Sequence, residues 1–473
     1  MPQRIYVDGE WVPASGGAPI PVVNPATEEP FDEVPRGGPK DVARAVEAAA
    51  AALPAWSARP AAERAGLCAA VAAALGERAD ELTETIVNEL GMPIKLTRAI
   101  QVGSPIRTFL SMPEVAAGIA FEEPMGNSVV YRDPVGVVGA ITPWNYPLHQ
   151  IAAKVAPALT AGCTVVLKPS EVTPLDAFVL AEVMHDVGIP AGVFNVVSGT
   201  GPEAGEALAA HPLVDMVSFT GSTRAGRRVA ELAAAGVRRT ALELGGKSAN
   251  VLLDDLDDAA FEDAVRKGVA ACYLNSGQTC SALTRLLVPR ERLHDAERVA
   301  AGEAATYTPG DPRDPATRLG PLVSAVQRER VRAHLRSAAE DGATLLTGGP
   351  DAPDGLERGY YVRPTVITGV APESRIAQEE IFGPVLVVLP YDGEDEAVRI
   401  ANGTAYGLAA GVRAADPGRA RRFARRLRAG QIRINDGAHN GLAPFGGYKH
   451  SGYGREYGRF GLEEFLTTTS VQL

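Results

Sequence analysis

Two rhythms of apolar and polar residues run along this chain. Across residues 39–90, alanines and leucines recur at helical spacing, broken at Pro54 and Pro60, which predicts a helical hairpin or pair. Short runs rich in β-branched residues follow, at 135–142, 163–167, 193–197, 214–219 and 249–253. Amphipathic stretches long enough for helices, such as 176–187 and 223–234, lie between them. Strands apolar on both faces and alternating with helices imply a parallel sheet covered on both sides, in a doubly wound α/β architecture of the nucleotide-binding type.

Beyond about residue 246 the alternation resumes as a second α/β unit. Its candidate strands are 283–288, 385–389, 408–412 and 431–434, with helices at 324–341 and 417–429. The basic run 419–428 lies on one such helix. Its Ala420, Phe423, Ala424 and Leu427 make an i, i+3, i+4, i+7 stripe, so its arginines read as the wet face of a packed helix. Two segments fit neither unit: 127–132, bounded by Gly126 and Asp133-Pro134, and the C-terminal 465–473. Both look like edge strands, which need covering by another subunit or by docking within the chain.

Composition narrows the function classes. A chain of 473 residues suggests two or three domains, and 46% hydrophobic with 22% charged residues is the balance of a globular protein. A formal net charge of -11 argues against a nucleic-acid surface, which needs a basic face. The N-terminal residues lack the apolar core of a secretory signal, and no apolar run reaches the ~18 residues of a membrane span. The expected location is the cytoplasm. There the four cysteines, Cys68, Cys163, Cys272 and Cys280, stay thiols, having neither C-x-x-C nor disulfide-scaffold spacing.

Five places could carry chemistry. Cys280 follows a polar, glycine-containing stretch, NSGQT, that reads as a loop displaying the thiol; a lone cysteine is otherwise most often core packing. Glu243 ends an apolar strand before two glycines, where burial would raise its pKa toward that of a general base; the alternative is an exposed strand-end charge. Asn145, in a turn held by Pro143 and Pro147, offers an amide suited to a developing oxyanion, although a turn asparagine can simply bond its own backbone. Lys168 and Glu171 follow a strand where a ribose could be bonded, and Gly221 with Ser222 opens a helix where a pyrophosphate could sit. The glycines at 199, 201 and 205 do not make G-x-G-x-x-G and carry no fingerprint.

Taken in order, PWNYP at 143–147, KPSE at 168–171, FTGST at 219–223, LELGGK at 242–247, GQTC at 277–280, EEIFGP at 379–384 and PFGGYKHSGYGRE at 444–456 resemble the aldehyde dehydrogenase superfamily. The likeness covers essentially the whole chain, and LELGGK with GQTC downstream is a highly specific pairing. It implies that Cys280 is the nucleophile, Glu243 the general base and Asn145 an oxyanion donor. An aldehyde would be oxidised to its acid through a thiohemiacetal and a thioester. It implies a dinucleotide held by Thr142, Trp144, Lys168, Ser170, Glu171, Gly201, Phe219, Gly221, Ser222, Leu244 and Gly245, with Glu379 and Phe382 at the nicotinamide end. A carboxylate at Glu171 accepts two ribose hydroxyls and repels a 2′-phosphate, which favours NAD over NADP, although relatives with the same KPSE use either. Glu456 matches a proton-relaying carboxylate.

The resemblance further implies a funnel lined by Tyr146, Gln150, Ala153, Thr279, Ser281 and His439. The small Ala153, where relatives place an aromatic, points to a medium or large aldehyde. The implied domains are a dinucleotide-binding unit at 1–120 and 135–245, a catalytic unit at 246–445, and a small β oligomerisation arm from 121–134 and 446–473, in a homodimer or homotetramer. No metal is implied. Two other readings compete. A coenzyme A-acylating enzyme commonly lacks the glutamate found here at 243. A non-catalytic scaffold of the same fold is opposed by the intact Cys280, Glu243 and Asn145.

Overall fold

The computed structural model describes residues 4–473. Its largest sheet has eight strands in the order Gly452–Tyr453, Arg239–Glu243, Met216–Thr220, Val137–Ile141, Thr164–Lys168, Phe194–Val196, Ile5–Val7, Glu10–Val12. The five strands from Arg239–Glu243 to Phe194–Val196 are parallel, and short antiparallel strands close both edges. Val137–Ile141, Thr164–Lys168 and Met216–Thr220 are buried at every position, as expected of strands apolar on both faces. Between Val137–Ile141 and its two neighbours the strand order reverses. A crevice opens there outside the carboxyl ends, where doubly wound sheets bind ligands.

The second sheet has seven strands, in the order Thr344–Thr347, Thr365–Thr368, Val385–Tyr391, Arg285–Pro289, Ala249–Leu252, Ala409–Arg413, Gln431–Ile434, all parallel except the first. Periodicity foresaw four of these and the Ala249–Leu252 run, but not Thr344–Thr347 or Thr365–Thr368, which are threonine-rich and only four residues long. In the first unit, one predicted helical pair is three helices, Pro39–Ser57, Ala61–Glu77 and Ala79–Leu90. Pro60 breaks the chain as expected. Pro54 does not, because it rides in the last turn of its helix.

The basic helix is Pro417–Ala424, shorter than the 417–429 expected, with Ala420, Phe423 and Ala424 buried on it, Leu427 buried just beyond its end, and Arg419 bonded to Asp254 (2.6 Å) and Glu394 (2.7 Å). The two edge segments pair with each other. Leu466–Gln472 runs antiparallel to Ser128–Pro134, which in turn pairs with Glu122–Met125. The stretch 446–473 is therefore divided, because Gly452–Tyr453 joins the eight-stranded sheet beside Glu243. Among the described residues, no helix is long and apolar enough to cross a membrane.

Candidate active site

Cys280 stands on a loop whose backbone is forced into shape. After the helix Asp258–Tyr273, Asn275 (φ 52°), Ser276 (φ 55°) and Gly277 (φ 75°) are all left-handed. Such conformations cost non-glycine residues about 1–3 kcal/mol each and need outside support. Here Ser276 Oγ donates to the Gly320 carbonyl (2.8 Å), Asn275 Nδ2 to the Asn145 carbonyl (2.9 Å), and the Val323 N–H to Gln278 Oε1 (2.9 Å). A side chain at Gly277 is excluded, since its Cβ would fall 2.0 Å from the Gly383 carbonyl oxygen. The NSGQ stretch is thus a clamp, and Cys280 is the one cysteine of the four that is not buried.

Asn145 completes the clamp from the first unit. Its Nδ2 donates to the Gln278 carbonyl (3.0 Å), which aligns the amide beside Cys280, and Gln101 Nε2 bonds its backbone carbonyl (3.0 Å). Next to it, the Tyr146 hydroxyl and Thr279 Oγ1 lie 2.7 Å apart. Asn145 and Cys280 both line a cavity of 130 Å³. It lies in the crevice at the sheet's reversal point and is walled also by Trp144, Thr220, Gly221, Ser222, Leu244, Gly245 and Phe382.

That cavity fits the nicotinamide half of a dinucleotide. Thr220 Oγ1 is buried there without a partner, so a polar ligand is wanted. Gly221 and Gly245 keep its walls open, since a Cβ would meet the Phe219 ring at 2.6 Å and Glu380 Oε2 at 2.3 Å. Ser222 caps the helix Thr223–Ala234 by accepting from the Ala225 N–H, leaving other first-turn amides for an anion. Trp144 meets Phe382 edge-on at 5.3 Å between centroids. Further along, Lys168 is buried and bonds Glu171 (2.9 Å) at the end of its strand. That contact, with the Gly201 amide, holds the Glu171 carboxyl below its ordinary range despite burial. Ser170 is buried and accepts from the Val172 N–H, and Thr142 Oγ1 is buried without a partner.

One expectation is corrected. Glu379 does not face the cavity; it is exposed and turns to Arg375 (3.1 Å). Glu380 lines it instead, accepting from the Gly246 N–H (2.9 Å), and burial raises its carboxyl. A glutamate doublet gives the sequence reader no means of choosing between its members. Gln327 and Arg330, which also line the cavity, come from a helix far along the chain and carried no motif.

Glu243 ends the strand Arg239–Glu243, and both its oxygens are buried without partners. Burial, then the neighbouring Glu456, raises its carboxyl well above the ordinary range, while Lys154 and Arg455 pull it down. Glu456 is bonded by Lys154, whose position in the helix Pro147–Ala161 is otherwise flanked by apolar residues. A lone lysine on a helix buried on all sides was the available signal of a partnered internal charge. Although Cys280 keeps some surface open to the cavity, the protein around it strips most water from the sulfur, and this desolvation first, then Glu380, Glu243 and Glu456, pushes the thiol up to about 12.

Beside the first turn of the helix Pro147–Ala161, which Tyr146 precedes, lies a separate chamber of 410 Å³, lined by His149, His439, Tyr457 and Arg107 among others. His439 was expected on the funnel; His149, Tyr457 and Arg107 were not. Gln150 and Ala153 are buried and are not among the residues lining this chamber, so the small Ala153 does not widen it. Ser281 adjoins Cys280 and supplies the backbone hydrogen bond that slightly favours a thiolate there. Among the described residues no cluster of metal-ligating side chains occurs.

Comparison with known proteins agrees over the whole chain. A model of the aldehyde dehydrogenase family matches residues 11–471. A 3-succinoylsemialdehyde-pyridine dehydrogenase of Pseudomonas sp is 47% identical over 470 residues, 99% of this chain and 98% of its own. Aldehyde dehydrogenase C of Pseudomonas syringae, solved as a cysteine-to-alanine mutant with NAD+ and octanal, superposes with a TM-score of 0.98 at 48% identity, covering 100% of this chain and 96% of its own. Betaine aldehyde dehydrogenase of Staphylococcus aureus, solved with NAD+, gives a TM-score of 0.96 at 37% identity, over 100% of this chain and 94% of its own.

Proposed function

The chain belongs to the aldehyde dehydrogenase family, and from that premise we propose that Cys280 attacks the aldehyde carbon and Glu243 later activates the water that releases the acid. The observation that carries this reading is the placement of Cys280, the one cysteine not buried, beside Asn145 in the cavity at the sheet's reversal point. Asn145, with its amide aligned by Gln278, and the backbone N–H of Cys280 stabilise the oxyanion formed as sulfur adds to the carbonyl. The thiol is protonated at neutral pH, so its proton has to leave before attack. Glu243, whose oxygens have no partners and whose charge reaches Cys280, takes it. When bound, the dinucleotide supplies the hydride acceptor. Loss of hydride from the thiohemiacetal leaves a thioester on Cys280. Glu243 then draws a proton from water as the hydroxide adds, and the acid departs with the sulfur again free. Glu456, held by Lys154, passes the proton onward.

NAD is the cofactor this reading favours. The two similar enzymes solved with a dinucleotide carry NAD+, and the Glu171 carboxylate, kept ionised beside Lys168, suits a free ribose diol and opposes a 2′-phosphate. The substrate is a medium or large aldehyde, a reading supported by the 410 Å³ chamber and by the octanal bound to the P. syringae enzyme. Assembly as a homodimer or homotetramer would cover Leu466–Gln472, an edge strand exposed from Thr467 on. Four unpaired thiols suit the cytoplasm.

Rapid mixing with NAD and octanal tests the mechanism. Glu243→Gln, lacking the base for both halves of the reaction, should show no fast burst of NADH and turn over roughly 100–10,000-fold more slowly than wild type. Coenzyme A should not restore its rate. Unchanged steady turnover would remove Glu243 from the mechanism, and full rescue by coenzyme A would make the enzyme an acyltransferase.

A further inference from the structure

An oxyanion donor works by standing in place before the charge forms, and the side-chain amide of Asn145 has two N–H groups to offer. One donates to the Gln278 carbonyl (3.0 Å), which leaves the other for the aldehyde oxygen. Where that second hydrogen points depends on the Asn145 backbone. Its carbonyl oxygen has two lone pairs, and both are taken. Asn275 Nδ2 donates to it at 2.9 Å from the loop that carries Cys280, and Gln101 Nε2 donates at 3.0 Å from the first unit.

Gln101 lies in a π-helical turn, Thr97–Val102, set between the α-helical segments Ile94–Leu96 and Gly103–Leu110. A π turn holds an extra residue and often marks a functional site, because it brings inward a side chain that a regular helix would direct elsewhere. Thr97 and Gln101 are both wholly buried polar residues. Thr97 Oγ1 donates to the Met92 carbonyl (2.9 Å), and the Met92 sulfur accepts the other N–H of Gln101 (3.4 Å). Both hydrogens of the Gln101 amide are thus engaged, and turning it away from Asn145 breaks two bonds at once. Its Oε1 is buried without a partner, a cost to stability that packing alone does not explain. Gly91, just before Met92, abuts Gly320, since a Cβ on Gly320 would run into the Gly91 carbonyl oxygen. The Gly320 carbonyl in turn anchors Ser276. From Ser276 through Gly320, Met92 and Gln101 to Asn145 and Asn275, the contacts form a ring that begins and ends on the nucleophile loop.

Resting on Asn145 as the oxyanion donor, we propose that Gln101 is a positioning residue for the reaction. It fixes the Asn145 peptide so that the free side-chain N–H already points to where the aldehyde oxygen gains charge as sulfur adds. Gln101 acts only through Asn145; neither it nor Met92 lines the cavity that holds Cys280.

Single turnovers test this, with enzyme in excess over octanal at saturating NAD. Gln101→Met keeps the length of the side chain and removes the donor together with the unpartnered oxygen, and Gln101→Leu removes both with a different shape. Each should form NADH about tenfold more slowly than wild type, with KM for NAD within about twofold and an unchanged thermal midpoint. Asn145→Ala should slow the same step roughly 100–1,000-fold. Adding Gln101→Met to Asn145→Ala should then cost nothing further, because the amide that Gln101 aims is gone. A wild-type rate in the Gln101 variants, or a loss that persists in the Asn145→Ala background, overturns the proposal. So does a loss that appears only in KM for NAD, or one matched by a fall in thermal midpoint in both variants, which marks a merely structural role. Full activity of Asn145→Ala would remove the oxyanion reading itself, whereas a slow Asn145→Ala beside a fast Gln101→Met strikes this proposal alone.

Discussion

Lys154 Nζ lies 2.5 Å from a carboxylate oxygen of Glu456, and both side chains are almost sealed from water. The other Glu456 oxygen has no partner, and Glu456 in turn is the charged group that most raises Glu243. Two acids and one base therefore share a dry compartment behind the nucleophile. Breaking such a pair leaves an uncompensated charge.

Lys154→Met should accordingly destabilise the protein by about 3–5 kcal/mol in urea unfolding. It should also move the rising limb of the kcat profile to higher pH, because Lys154 is the first cation holding Glu243 down. The sign follows from charge alone: with the ammonium gone, Glu243 gives up its proton less readily. A limb moving to lower pH would contradict this arrangement.

Glu380→Gln should raise KM for NAD by roughly tenfold, the scale of one charged hydrogen bond, while Glu379→Gln should leave it within about twofold. Only Glu380 faces the cavity, whereas Glu379 faces Arg375 and solvent. Steady-state titration of NAD at saturating aldehyde checks the pair, and the reverse ranking would restore Glu379 to the site.

Stability should fall as pH rises toward 8 because of Asp176. Its side chain is buried beside Glu89, which accepts the Leu175 N–H (2.9 Å) where the helix Leu175–Val187 begins. Burial pushes Asp176 up to about 8, and burial with Asp176 nearby raises Glu89 too. In the unfolded chain Asp176 ionises near the usual carboxylate range, so between there and pH 8 the folded state holds the extra proton. Raising the pH through that window therefore costs stability. Asp176→Asn, which cannot ionise, should be more stable than wild type by roughly 1–2 kcal/mol near pH 8 and show a flatter pH dependence in thermal unfolding. Parallel wild-type and variant curves would contradict it.

Much of the scaffold was legible because buried parallel strands must be apolar on both faces. The runs at 135–142, 163–167 and 214–219 gave Val137–Ile141, Thr164–Lys168 and Met216–Thr220 within two residues at either end. Cys280, Asn145 and Glu243 stood out because each sits where a strand or helix gives way to a turn with proline or glycine. The outer chamber did not. His149 lies in a helix that reads as plain core, and Arg107 and Tyr457 reach it from elements roughly 40 residues before and 300 after it in sequence. Pattern reports the face a residue presents, and says nothing of distant residues meeting across the fold.

Gly277 ties two functions into one moving part. Because its backbone rests against the carbonyl of Gly383, and Gly383 directly follows the Phe382 that meets Trp144 in the cavity, any bulkier residue at 277 would shove the sulfur-bearing loop and the dinucleotide wall apart. Redesigning this enzyme for a different coenzyme by remodelling the Phe382 turn would thus also re-aim its sulfur, so the two properties have to be engineered as a unit.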